Sequence, residues 1–91
     1  MTHGILLMPR ARRQLGVAVS WWQAHRPAAS DLLAEEFARA VANLIEFPNL
    51  GRELSDPTIR TLLLPRTATT VLYRVRPRLQ QVHILRVLPA R

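Results

Sequence analysis

Residues 59–88 read IRTLLLPRTATTVLYRVRPRLQQVHILRVL, and this stretch decides the fold. Its apolar residues recur at every second position, the period of a strand with one buried face. Ile59–Leu64 is expected as one strand, Pro65–Ala68 as a turn and Thr69–Arg76 as a second strand. In that second strand Val71, Tyr73 and Val75 share one face, while Leu72, Arg74 and Arg76 share the other. Pro77 opens the next turn, and Leu79–Leu88 makes a third strand. Turns this short join spatial neighbours, so the three runs form an antiparallel meander.

Upstream of Asp56-Pro57 the period is helical. From about residue 10 to 25, Leu15, Ala18, Val19 and Trp22 recur at helical spacing, with Val17 and Trp21 widening the buried stripe. Core is the expected place for both tryptophans, Trp21 either packing at the sheet margin or covered by a partner, to which Val17 and Trp21 would offer exposed apolar positions. Arg26-Pro27 ends this helix, because the residue before proline avoids the helical region. Ser30 is a natural N-cap, and Asp31, Glu35 and Glu36 set negative charge near the positive end of the next helix dipole. Leu33, Phe37, Ala40, Val41, Leu44 and Ile45 then trace a second helix over about 31–47, which Pro48-Asn49-Leu50-Gly51 terminates. The run 4–8 before Pro9 has the length of an edge strand. The expected fold is α+β: an N-terminal helical hairpin packed on a small antiparallel sheet, one domain over residues 1–91.

The charge is segregated. All thirteen basic residues are arginine, and the net charge of +7 divides into +4 over residues 1–29, −4 over 30–58 and +7 over 59–91. Such a density of guanidinium in the last third points to an anionic partner. With 91 residues, 48% hydrophobic and 21% charged, the chain is long enough for one core and too apolar for disorder. The absence of cysteine excludes disulfides, thiolate metal sites and cysteine nucleophiles, and three scattered histidines argue against a metal. No run approaches the length of a membrane span, and Gly4–Met8 is too short for a signal-peptide core. No cofactor, no membrane contact and a cytoplasmic location are expected.

Each strand sets an arginine opposite its apolar residues: Arg60 and Arg66 on the first, Arg74 and Arg76 on the second, Arg86 on the third. A curved, basic, uncovered sheet face is therefore the expected binding surface. Metal-free RNA cleavage there would need a base, a cation on the phosphate and an acid. Arginine fills the middle role well. His83 in mid-strand and Glu53 in the loop after Gly51 are the nearest proton carriers, and Tyr73 reads as a core aromatic with its hydroxyl satisfied.

Pro48-x-Leu50-Gly51-Arg52 after a long amphipathic helix, Arg60 opening a strand, Tyr73-Arg74-Val75, then Val82-x-Ile84-Leu85-Arg86-Val87-Leu88 and a terminal Arg91 form an ordered series. It resembles the RelE/ParE superfamily of bacterial type II toxins, within it the ParE branch. The segment Trp21-Trp22-x-x-x-Arg26-Pro27-Ala28-Ala29 resembles a subgroup of ParE-like toxins. The likeness runs from about residue 11 to 91 and implies the same helical hairpin on a sheet. It also implies one of two activities: ribosome-dependent mRNA cleavage in RelE-like members, inhibition of DNA gyrase in ParE-like ones. Either is neutralised by a cognate antitoxin, through which alone operator DNA is reached. Positions that the ribonucleases use for an arginine and for a C-terminal acid or base fall on Thr70 and Pro89. The resemblance therefore implies a toxin that binds and inhibits gyrase or another topoisomerase, with Arg60, Arg66, Arg74, Arg76, Arg86, Arg91 and Trp21 engaging target or antitoxin. The alternatives are a ribonuclease built from Arg60, Arg74, His83 and Arg91, or an inactive relative kept as a binding module.

Overall fold

A computed structural model describes residues 3–89, so Arg91 lies outside the described residues. The chain runs β1 (Gly4–Leu7), α1 (Pro9–His25), a 3-10 turn (Pro27–Ala29), α2 (Leu32–Glu46), β2 (Arg52–Glu53), β3 (Ile59–Leu64), β4 (Thr69–Arg76), a second 3-10 turn (Pro77–Leu79) and β5 (Gln81–Leu88). The five strands form one sheet in the order β1-β5-β4-β3-β2. β2 to β5 are antiparallel neighbours, as the alternation and short turns require. β1 pairs parallel with β5, with Ile5 opposite Val82 and Leu7 opposite Ile84, so the sheet is mixed. The edge strand at residues 4–7 is thus present, and its parallel sense follows from the helical hairpin that separates it from the meander.

One face of the sheet is buried under both helices. Leu64, Val71, Tyr73, Val82, Ile84 and Val87 meet Ala11 and Ala18 of α1 and Leu33, Ala40 and Leu44 of α2. Leu15, Val19 and Trp22 close the α1 side. α1 lies along β5, and α2 touches β1 and β3. Alanines at 11 and 18 sit two helical turns apart and let the α1 backbone approach the sheet closely.

Local details differ from the sequence expectation in four places. Val17 is 69% exposed, so the buried stripe of α1 is narrower than its apolar residues suggest. Trp21 is half-buried and stands at the C-terminal end of α1, stacked on His25 at a ring separation of 4.6 Å rather than packed in the core. Asp31, not Ser30, is the N-cap of α2, and it makes no side-chain cap bond because Pro27–Ala29 forms its own turn first. β5 begins at Gln81 rather than Leu79, since Pro77 sets a 3-10 turn and Gln80 takes the left-handed region at φ 52°.

Glu36 is a buried carboxylate in α2. It accepts from the Arg66 amide at 2.7 Å, the Thr67 amide at 3.1 Å and the Thr67 hydroxyl at 2.7 Å. These bonds lock the β3–β4 turn to the helix. A buried carboxylate is tolerable only when its oxygens are satisfied in this way.

Candidate functional site

Alternation around Tyr73 sorts the strand residues into two faces. Val71, Tyr73, Ile84 and Val87 face the helices. Thr70, Leu72, Arg74 and Arg76 of β4 face away, opposite Leu88, Arg86, His83 and Gln81 of β5 respectively. Ile59, Thr61 and Leu63 of β3 complete the outer face, with Leu6 of β1 and Arg52 of β2 at its margins. No element crosses this face among the described residues. It is amphipathic rather than uniformly basic: Leu6, Leu63 and Leu88 are large exposed apolar residues set among the arginines.

The structure brings Arg74, Arg76, Arg86 and His83 together on this open face. His83 sits directly across from Arg74, and its Nε2 lies 3.0 Å from Gln81 Oε1. A bulge at the Leu72/Tyr73 step displaces Leu85 and Arg86, and Arg86 Nη1 donates to the Leu85 carbonyl at 2.8 Å. Arg66 is remote from the group, exposed in the β3–β4 turn.

Arg60 does not belong to this face, which corrects the sequence expectation. It stands opposite Tyr73 with the parity of Leu62 and Leu64, so it points to the helix side, past the end of α2. Its guanidinium donates to the carbonyls of Gly51 at 2.8 Å and Asn49 at 3.3 Å, and to Glu53 Oε2 at 3.1 Å. The side chain is 18% exposed. Arg60 and Glu53 are therefore a structural clamp on the 49–53 loop.

Tyr73 completes that clamp. Its hydroxyl donates to the Pro48 carbonyl at 2.9 Å and accepts from the Gly51 amide at 2.8 Å, as its place in an apolar strand face required. Burial pushes the phenol above its ordinary value, against the Gly51 N–H and the Arg60 charge. Gly51 is forced by close approach: a Cβ there would lie 2.6 Å from the Thr61 carbonyl oxygen and 2.7 Å from the Tyr73 hydroxyl. Asp56 is the other perturbed group. The Thr58 amide, then the Thr58 hydroxyl, hold it below the usual carboxylate range, with a smaller contribution from Arg74 at 3.8 Å. No three His, Asp or Glu side chains converge among the described residues.

Sequence reasoning missed the clamp, Arg52 on the open face and the exposed leucines. Leu62-Leu63-Leu64 is apolar at both parities, so nothing in it told which face carries Arg60.

The arrangement is a small two-layer α+β scaffold with one open sheet face. The chromosomal ParDE toxin–antitoxin system from P. aeruginosa matches with a TM-score of 0.78 and 19% identity, over 99% of this chain and 98% of that one. The toxin–antitoxin complex RelBE2 from Mycobacterium tuberculosis matches at 0.69 and 23% identity, over 98% and 99%. An E. coli RelE double arginine-to-alanine mutant in the free state matches at 0.65 and 16% identity, over 99% and 85%. A search of curated proteins found no match. The family model described as the ParE toxin of the type II toxin–antitoxin system parDE matches residues 5–91, so the chain belongs to that family. It is the toxin of a type II pair in the RelE/ParE superfamily, and membership implies a cognate antitoxin as partner.

Proposed function

We propose that this toxin acts by binding, and that its target is DNA gyrase or another topoisomerase in the cytoplasm. The observation that carries the reading is the commitment of two of the three candidate proton-carrying groups, Tyr73 and Glu53. Tyr73 spends its hydroxyl on Pro48 and Gly51, and Glu53 is held by Arg60, both on the helix side of the sheet. The open face instead offers arginines interspersed with exposed leucines, the composition of a protein-binding surface. Membership of the ParE family supports the same choice.

The test is pulse labelling after induction, following thymidine and methionine incorporation separately. Early loss of thymidine incorporation with translation intact is expected, followed by inhibition of supercoiling by purified gyrase. Early loss of methionine incorporation would refute it.

A second reading, ribosome-dependent RNA cleavage, is favoured by one observation: His83 lies directly across from Arg74 on the open face. His83→Ala separates the two. It leaves a gyrase inhibitor as toxic as before and cripples a nuclease that uses this imidazole as its base.

A further inference from the structure

β4 leaves the sheet through three arginines at alternate positions, Arg74, Arg76 and Arg78. Arg74 and Arg76 share the outer face, about 7 Å apart along the strand. Pro77 then turns the chain, and the Pro77–Leu79 turn carries Arg78 over the end of the sheet. On the opposite side the Asp56–Thr58 loop is fastened to β4 by a Val75 amide to Thr58 carbonyl bond of 2.9 Å. Between loop and turn lies an open cleft of about 660 Å³, lined by Asp56, Thr58 and residues 74–79. That volume lies within the range of small-ligand sites.

The charges in the cleft do not cancel. Three guanidiniums meet one carboxylate, which leaves +2 at the lining. Asp56 is already occupied by the Thr58 amide and hydroxyl on Oδ1, and Arg74 approaches Oδ2 no closer than 3.8 Å. The guanidiniums of Arg76 and Arg78 have no hydrogen-bond or ion-pair partner among the described residues. Pro77 and Leu79 add apolar lining, with Leu79 exposed.

We propose that this cleft is a binding site for phosphate oxyanions, with the phosphoryl oxygens held among Arg74, Arg76 and Arg78 and the uncharged part of the ligand on Pro77 and Leu79. Arginine forks match paired phosphoryl oxygens, and a lining of +2 matches a dianionic group better than a carboxylate. The phosphate belongs either to a free di- or triphosphate or to a nucleic-acid backbone. The site goes beyond the choice of cellular target and does not rest on it, because binding is read on the purified chain alone.

The experiment titrates the full chain with pyrophosphate and, separately, with a single-stranded oligonucleotide, at fixed salt. Arg76→Ala/Arg78→Ala is expected to weaken binding about tenfold or more. Asp56→Asn keeps an oxygen for Thr58 while removing the opposing charge, so it tightens binding by about threefold. Arg10→Ala/Arg12→Ala, on exposed positions of α1, stays within about twofold of the parent chain. A response confined to pyrophosphate identifies a free phosphoryl ligand, and one confined to the oligonucleotide identifies a backbone; either supports the site. The proposal is overturned if Arg76→Ala/Arg78→Ala binds both probes like the parent, or if the α1 variant loses as much. Equal affinity for a glutamate-rich peptide of matched charge overturns it too, since the cleft would then read charge alone.

Discussion

Replacing Tyr73 by Phe removes one oxygen atom and two hydrogen bonds. The hydroxyl accepts from the buried Gly51 amide and donates to the Pro48 carbonyl. Without it the buried amide loses its acceptor. An unsatisfied buried donor costs about 1–3 kcal/mol, and the second lost bond puts Tyr73→Phe near the top of that range. A chain of this length is stable by about 5–14 kcal/mol, so the loss is a sizeable share of the whole. In urea, with a slope of about 1–2 kcal/mol/M, the midpoint falls by about 1.5–3 M. The two tryptophans report the transition by fluorescence, and hydrogen exchange at Gly51 reports the clamp itself. Burial raises the folded phenol pKa above its ordinary 10.0, so the stabilisation is present below that pH and is lost as pH rises through and beyond it. Tyr73→Phe has no such alkaline loss. Because Tyr73 is the sole tyrosine, near-ultraviolet tyrosinate absorbance follows this one group. An unchanged urea midpoint with a still-protected Gly51 amide would refute the reasoning.

The same clamp predicts that Gly51→Ala destabilises by about 1–3 kcal/mol through overpacking against the Thr61 carbonyl and Tyr73, seen as a lower Tm; an unchanged Tm would contradict it. Ala68 sits at φ 54° in the β3–β4 turn, so Ala68→Gly relieves left-handed strain and raises stability by about 0.5–1 kcal/mol, or a few degrees in Tm. A lower Tm would show that the turn is not strained. Glu36→Gln turns an amide NH2 toward the donors of Arg66 and Thr67 and costs about 1–3 kcal/mol, measured by urea unfolding. A larger loss from Glu36→Ala is expected, because alanine orphans both turn amides whereas glutamine keeps one oxygen for Thr67.

Much of the fold was legible because period is a local property. The alternation through Val71, Tyr73 and Val75 and the 3.6-residue rhythm from Leu33 to Ile45 each fixed an element within about two residues of its observed ends. β2 was not legible, since two residues carry no period. Nor was Trp21: a helix end can leave an apolar ring outside the core, and adjacent tryptophans point about 100° apart. Of the candidate site, Arg74, Arg76, Arg86 and His83 do meet on one face. Arg60 and Arg66 do not, because parity within a strand says which residues share a face and not which face is covered.

The sequence by itself determined the element order, the two-layer α+β class, the buried hydroxyl of Tyr73 and the arginine-rich character of the meander. These follow from side-chain spacing along short stretches, where the chain's own geometry does the sorting. Only the tertiary structure decided that β1 runs parallel to β5, that Glu36 serves the β3–β4 turn from thirty residues away, and that Arg60 and Glu53 brace a loop. It also decided that Arg74, Arg76 and Arg78 share a cleft with Asp56. Each of these joins residues far apart in the chain, and such pairings are set by how the layers pack, a condition that no local window of the sequence contains.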